Sequence, residues 1–235
     1  MKSFIKKIGL GVFLFFFHLL SITGCGRGSG VSVNVVIGNA DQIGSLNPPY
    51  LSQVVFASGL RLNLVTDAAL SNTYPTPANN PFGSSHVPYY ERVRYFIDLT
   101  QAPTSERVSD HFRLSEFVGP TAQRGGTRAY VDAQMAQHVQ FIRSGLGRAL
   151  VLSSAFRTPE HNQSVGGATF SRHIYGDAVD VDVDQNRSDA NIRAQEIFNE
   201  ALDVGVDFVL PLAETSVLVN GVQQVSWVHM DDRGF

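Results

Sequence analysis

The sequence predicts an α+β fold: a small antiparallel sheet with helices on one side, preceded by a β-rich extension. Three observations carry this. Two stretches place apolar residues at helical spacing, short β-branched runs stand between them, and Asn220-Gly221 separates two such runs near the end of the chain. An Asn-Gly pair flanked in this way is the strongest short-range signal for a β-hairpin.

Taken in order, the first 24 residues stand apart from the fold. Lys2, Lys6 and Lys7 precede an apolar run through Phe13, Leu14, Phe15, Phe16, Phe17, Leu19 and Leu20, the charge-then-apolar order of an export signal. Ile22-Thr23-Gly24-Cys25 resembles a bacterial lipobox, so Cys25, the single cysteine, is expected to be the lipidated first residue of the mature protein. A buried thiol or an uncleaved anchor is the alternative. Gly26 in second place points, by analogy with lipoprotein sorting, to the periplasmic face of an outer membrane. Residues 25–30 then form a Gly- and Ser-rich tether.

Residues 31–105 read as the β-rich extension. Val31, Val33 and Val35 alternate with polar residues, and the runs at 54–56, 60–65 and 93–99 are rich in β-branched and aromatic side chains. Residues 71–88 are loop-like in their Pro, Asn, Gly and Ser content. His86 lies there without ligand-spaced neighbours and is expected to be a solvated loop histidine.

From residue 106 the pattern is α+β. A helix is expected over 130–143, where Val131, Met135, Val139 and Ile142 share a face and Gly145 and Gly147 provide the stop. Residues 149–152 read as a buried strand leading into a loop at 153–159. A second helix is expected from Ser188 as N-cap, through Ile192, Ile197, Phe198, Ala201 and Leu202, to Gly205. The runs 217–219 and 222–230 make the hairpin, which puts His229 on a hairpin strand.

Composition narrows the function classes. All lysines sit in the leader, so the mature chain has 15 arginines against 21 acidic residues, a net charge of −6 that argues against a nucleic-acid partner. With Cys25 taken up by lipid, no internal disulfide can form.

The residues that carry chemistry are His173, Asp180 and His229. Two imidazoles and a carboxylate are suitable ligands for a catalytic zinc that keeps its fourth position open. Alternation along a strand at 178–184 puts Asp180, Asp182 and Asp184 on one face, with Val179, Val181 and Val183 on the other. Three aspartates on one face cannot all be buried unpaired. Asp180 is therefore expected to face a cation while Asp182 and Asp184 turn to solvent; a second metal site is the alternative. A calcium loop at Asp182, Asp184 and Asn186 is excluded, because Arg187 stands where such a loop needs glycine.

Four segments resemble one family. Ser171 to Asp180 matches S-x-H-x-x-G-x-A-x-D of the zinc D-alanyl-D-alanine carboxypeptidases, in the superfamily of DD-peptidases and hedgehog domains. Ser154-Ala155-Phe156-Arg157-Thr158-Pro159 with Asn162 is similar to its S-x-x-R-[ST]-P-x-x-N segment. Trp227-Val228-His229-Met230-Asp231-Asp232-Arg233-Gly234 is similar to its terminal aromatic-V-H-x-D strand, and Asp110-His111-Phe112-Arg113-Leu114-Ser115-Glu116-Phe117 to an H-F-x-L-x-E-F opening. The resemblance covers about 108–235. It implies a hedgehog/DD-peptidase-like fold over residues 106–235, Zn2+ held by His173, Asp180 and His229, and Arg157 binding a substrate carbonyl or carboxylate. It further implies hydrolysis of an amide in the peptidoglycan stem peptide, with Ser171 and Asp231 supporting ligand or substrate. The alternative role for Arg157 is an ion pair with Glu160 or Asp177. One departure stands out: the family's general base is a Glu three residues before the last histidine or a His five before it, and these positions hold Ser226 and Gln224. Glu214, Asp231 and His161 are the available substitutes. If none serves, the alternative is a metal-stabilised binding module of the cell envelope.

Overall fold

Two four-stranded antiparallel sheets and a two-stranded ribbon, joined by five helices, make up the computed structural model, which describes residues 53–235. The export segment, Cys25 and its tether, and the strand expected at Val31 to Val35 lie outside the described residues. Among the described residues, no helix is long and apolar enough to cross a membrane.

The first sheet has the order β1-β2-β3-β4, from β1 (Gln53–Val55), β2 (Arg61–Thr66), β3 (Tyr95–Asp98) and β4 (Arg128–Ala129). Its first three strands fall within or beside the β-branched and aromatic runs. The fourth comes from beyond residue 105, and one apolar cluster runs from Val54 and Phe56 through Phe112, Phe117 and Met135 to Val228 and Met230. Between β2 and β3, helix α1 (Ala68–Ser71) is capped by the Asp67 carboxylate, which accepts from Leu70 N–H. Two 3-10 turns, Pro77–Asn79 and Ser84–Tyr90, occupy much of the stretch expected to be loop.

Helix α2 (Leu114–Gln123) is not announced by periodicity, because Gly119 and Pro120 sit inside it. Its start is set by a local bond instead: the Glu116 carboxylate accepts from the backbone N–H of Arg113 at 2.8 Å. Helix α3 (Ala133–Leu146) lies three residues later than its apolar stripe suggests. Asp132 caps it by accepting from Gln134 and Met135 N–H, and Gly147, at φ 60°, ends it. Gly145 does not stop the helix; a Cβ there would lie 1.8 Å from Glu200 Oε1.

The second sheet, β5-β6-β10-β7, carries the residues of interest. Its strands are β5 (Leu152–Ser154), β6 (Ala178–Asp182), β7 (Phe208–Val209) and β10 (Trp227–Asp231). The strand expected at 149–152 begins only at Leu152, since Leu150 is buried while Val151 is 62% exposed and uses its carbonyl to accept from Asp182 N–H. Helix α4 (Pro159–Ser164) follows β5, with Thr158 as its cap.

Helix α5 (Ala190–Asp203) starts one residue after Asp189, whose carboxylate pairs with Arg187 and Arg193 rather than capping. It buries Ala190, Ala194, Ile197 and Ala201, whereas Ile192 and Leu202, expected inside, are exposed. A narrow alanine face allows close packing on α3 and leaves the larger side chains flanking it.

The Asn-Gly hairpin forms between β8 (Ser216–Val219) and β9 (Val222–Val225), with Asn220 and Gly221 both at positive φ, 51° and 78°. His229 is not on that hairpin. The chain breaks at Ser226, whose hydroxyl donates to Gln185 Oε1 at 2.8 Å, and continues as β10 into the second sheet between β6 and β7.

Candidate metal centre

Register on the second sheet brings the three predicted ligands together. β6 and β10 pair antiparallel with His229 opposite Asp180 and Trp227 opposite Asp182. Val179, Val181, Val228 and Met230 fill the core face of these strands. Each such buried side chain is worth about 1.5–3 kcal/mol, which locks the register and so the face on which Asp180 and His229 stand. Asp182 and Asp184 are exposed, in line with the solvent reading.

His173 arrives from the 3-10 turn Arg172–Tyr175, which ends at Gly176 with φ 77°. A Cβ at Gly176 would lie 2.5 Å from the Tyr130 carbonyl oxygen, so only glycine allows the chain to pass there. The turn is pinned from below by a buried ion pair. The Arg172 guanidinium, 3% exposed, donates to both oxygens of Asp177, which is fully buried, and to the Tyr89 carbonyl at 2.7 Å. Tyr90 and Tyr175 flank the same guanidinium at 5.3 and 4.7 Å. Asp177, offered by the sequence as a partner for Arg157, is thus engaged elsewhere. Even so, burial pushes its carboxyl up to about 7 against the opposing pull of Arg172.

The ligand atoms of His173, Asp180 and His229 lie within 4.8 Å of one another. His173 Nδ1 donates to the Ala155 carbonyl at 2.7 Å, which leaves the lone pair of Nε2 facing Asp180 Oδ2 at 3.2 Å. His229 directs Nδ1 at Asp180 Oδ1, 2.8 Å away, and Nε2 at Asp231 Oδ2, 3.1 Å away. A lone pair facing a carboxylate is satisfied by a proton or a metal cation between them. The donor set, its mutual spacing and the hydrogen bonds fixing the outer ring nitrogens therefore fit a zinc ion.

Burial and neighbouring charge act on the three groups in different senses. Burial lowers the pKa of the His173 imidazole, and the pull of Asp180 does not offset it. Burial acts in the same sense on His229, but hydrogen bonds to Asp180 and Asp231 outweigh it and push the ring up to about 9. For Asp180, burial opposes ionisation, yet both imidazoles hold the carboxyl well below the usual carboxylate range.

Arg157 donates from Nη2 to Asp180 Oδ2 at 2.9 Å and from Nε to Ser154 Oγ at 2.8 Å, so its guanidinium stands beside the ligand set. Both belong to a cleft of about 610 Å³ that also takes in Ser171, Phe82, Tyr90, Phe170, Phe208 and Trp227. Phe82 and Tyr90 come from the β-rich region before residue 105, which thereby supplies part of the cleft wall.

The structure does not bring the proposed bases to this place. Glu214 is exposed on the 3-10 turn Leu212–Thr215 and is absent from the cleft lining. Asp231 is fully buried behind His229, with both oxygens bound by Arg233 at 2.6 Å. His161 lies outside the lining, its Nδ1 buried without a partner, and burial lowers its pKa. Among the described residues of the lining, His173, Asp180 and His229 are the only carboxylates and imidazoles. His86 packs its ring on Phe235 with centroids 4.3 Å apart and is absent from the cleft lining. Sequence reasoning missed Arg172 and Arg233. An arginine next to a ligand, and another two residues after Asp231, were the signals available.

No curated protein and no solved structure matches the chain. Residues 110–207 match the model of the family described as Peptidase M15, a stretch that contains Arg157, His173 and Asp180 and ends before His229. The match makes this stretch similar to the M15 peptidases, and His173, Asp180 and His229, the last of them beyond it, form a group that could hold a metal ion.

Proposed function

We propose that the chain hydrolyses an amide bond of the peptidoglycan stem peptide, as a D,D-carboxypeptidase or endopeptidase, while tethered through lipid on Cys25 to the periplasmic face of a bacterial outer membrane. The supporting observation is the convergence of His173, Asp180 and His229 beside the Arg157 guanidinium in an open cleft. When bound there, zinc supplies Lewis acidity and a means of activating water near neutral pH. Arg157 then serves to receive a substrate carboxylate or the oxygen that becomes negative during attack. Ser171, at the start of the turn that carries His173 and in the cleft lining, serves to orient the substrate backbone. Asp231 holds the His229 ring.

A proton acceptor is still needed, and general base help is worth roughly 10²–10⁴-fold. Asp182 is the exposed carboxylate of β6, two residues from Asp180 and opposite the cleft residue Trp227. The lack of any free carboxylate or imidazole among the described residues of the lining favours a second reading, a metal-stabilised binding module that has lost turnover.

Digestion of purified peptidoglycan separates the two. Zinc-loaded wild type should release D-alanine or cleaved stem peptides, His173→Ala should release none, and Glu214→Gln should match wild type. Zinc-loaded wild type that is no better than His173→Ala would leave the binding module. For the tether, Cys25→Ala should move the protein from the membrane fraction to the soluble fraction; a variant still in the membrane pellet would contradict lipidation.

A further inference from the structure

The two histidines of the metal centre are oriented by different means. His173 leans on the Ala155 carbonyl, a backbone group that cannot turn away. His229 leans on the Asp231 carboxylate, a side chain free to rotate unless something holds it. Arg233 holds it: Nε donates to Oδ1 and Nη2 to Oδ2, each at 2.6 Å, a bidentate grip that fixes the carboxylate plane. Oδ2 is thereby left at His229 Nε2, and Nδ1 is turned to Asp180. The guanidinium is itself fixed, 3.7 Å from the centre of the Phe208 ring and within 6 Å of the Phe82 and Phe235 rings, at 5.9 and 5.8 Å.

We infer that Arg233 is a positioning residue for the metal ligand His229, acting through Asp231. This rests on the zinc reading of the site. It also gives Phe82, which lies outside the segment matched to the peptidase family, an indirect hold on the ligand set. Loss of an outer-shell partner of this kind lowers metal affinity by roughly 10–100-fold. A lysine keeps the charge but cannot form the two-pronged grip, so Arg233→Lys should fall between wild type and Arg233→Ala.

The experiment measures zinc affinity of the full-length chain by competition with a chromophoric chelator, alongside the thermal midpoint of the metal-free proteins. Arg233→Ala should bind zinc at least tenfold more weakly than wild type, and Asp231→Asn should lose a similar factor. The double variant should be no weaker than the weaker single, because the two residues act in series. A purely structural role would lower the midpoint and leave zinc affinity unchanged. Should Arg233→Ala fail to fold, Arg233→Lys and Asp231→Asn carry the comparison. Zinc affinity within twofold of wild type in the folded Arg233 variants, or losses that add in the double variant, would overturn the inference. A wild-type chain that binds no zinc would instead overturn the metal reading on which it rests.

Discussion

Replacing Arg172 by Met should destabilise the metal-free protein by an amount that depends on pH. Met fills much of the space between Tyr90 and Tyr175 but leaves the buried Asp177 carboxylate without its counter-charge and the Tyr89 carbonyl without its donor. In wild type, burial already raises Asp177 to about 7, from the ordinary 3.8 that applies when the chain is unfolded. The folded state therefore holds this proton more tightly than the unfolded state, and stability is lost as pH rises from about 4 to about 7. Removing Arg172 takes away the group that opposes burial, so the folded pKa moves higher still. At pH 5 the carboxyl is protonated in both proteins, and the cost is that of the lost hydrogen bonds, about 1–2 kcal/mol. At pH 8 it grows to about 3–5 kcal/mol, the usual cost of breaking a buried pair by removing one partner. With roughly 2–4 °C per kcal/mol for a domain of this size, the midpoint should fall by some 6–20 °C at pH 8. Urea unfolding at the two pH values measures both figures, and Arg172→Met/Asp177→Asn should recover most of the loss at pH 8. A loss below 1 kcal/mol at both values, or one equal at both, would refute the reasoning.

Two further outcomes are expected. Gly176→Ala combines φ 77° with a Cβ 2.5 Å from the Tyr130 carbonyl oxygen, so it should cost about 1–3 kcal/mol in urea unfolding and weaken zinc binding, because the turn carrying His173 must shift. In the metal-free protein, His229 at about 9 contributes stability that is complete below its ordinary 6.5 and is lost as pH rises through 9, roughly 3 kcal/mol in all. Zinc must displace that proton, so calorimetry at pH 7.5 in buffers of different ionisation enthalpy should find close to one proton released from this ring per zinc; no release would contradict a protonated His229.

The sequence pointed to the group of His173, Asp180 and His229 that the fold brings together more clearly than to the scaffold around it. His173, Asp180 and His229 were legible because the segments that carry them resemble one family's motifs, with residue type and strand alternation in support. Helix α2 was not, because Gly119 and Pro120 mask its pattern and a side-chain bond from Glu116 starts it. The strand carrying His229 was misplaced because Ser226 ends the hairpin in a kink that has no signature in hydrophobic spacing. Glu214, one of the three substitute bases, is absent from the cleft lining, because proximity to the hairpin in sequence does not fix where a turn residue reaches. Arg172 and Arg233 were overlooked for a related reason: their partners, Asp177 and Asp231, are close in sequence, but their burial is a product of tertiary packing.

The zinc content of purified protein tests the central claim most directly. Wild type should carry one zinc per chain by elemental analysis, and His173→Ala and His229→Ala, each shown to be folded by circular dichroism, should carry close to none. Unchanged zinc in either folded variant would contradict the assignment of His173, Asp180 and His229 as the metal ligands.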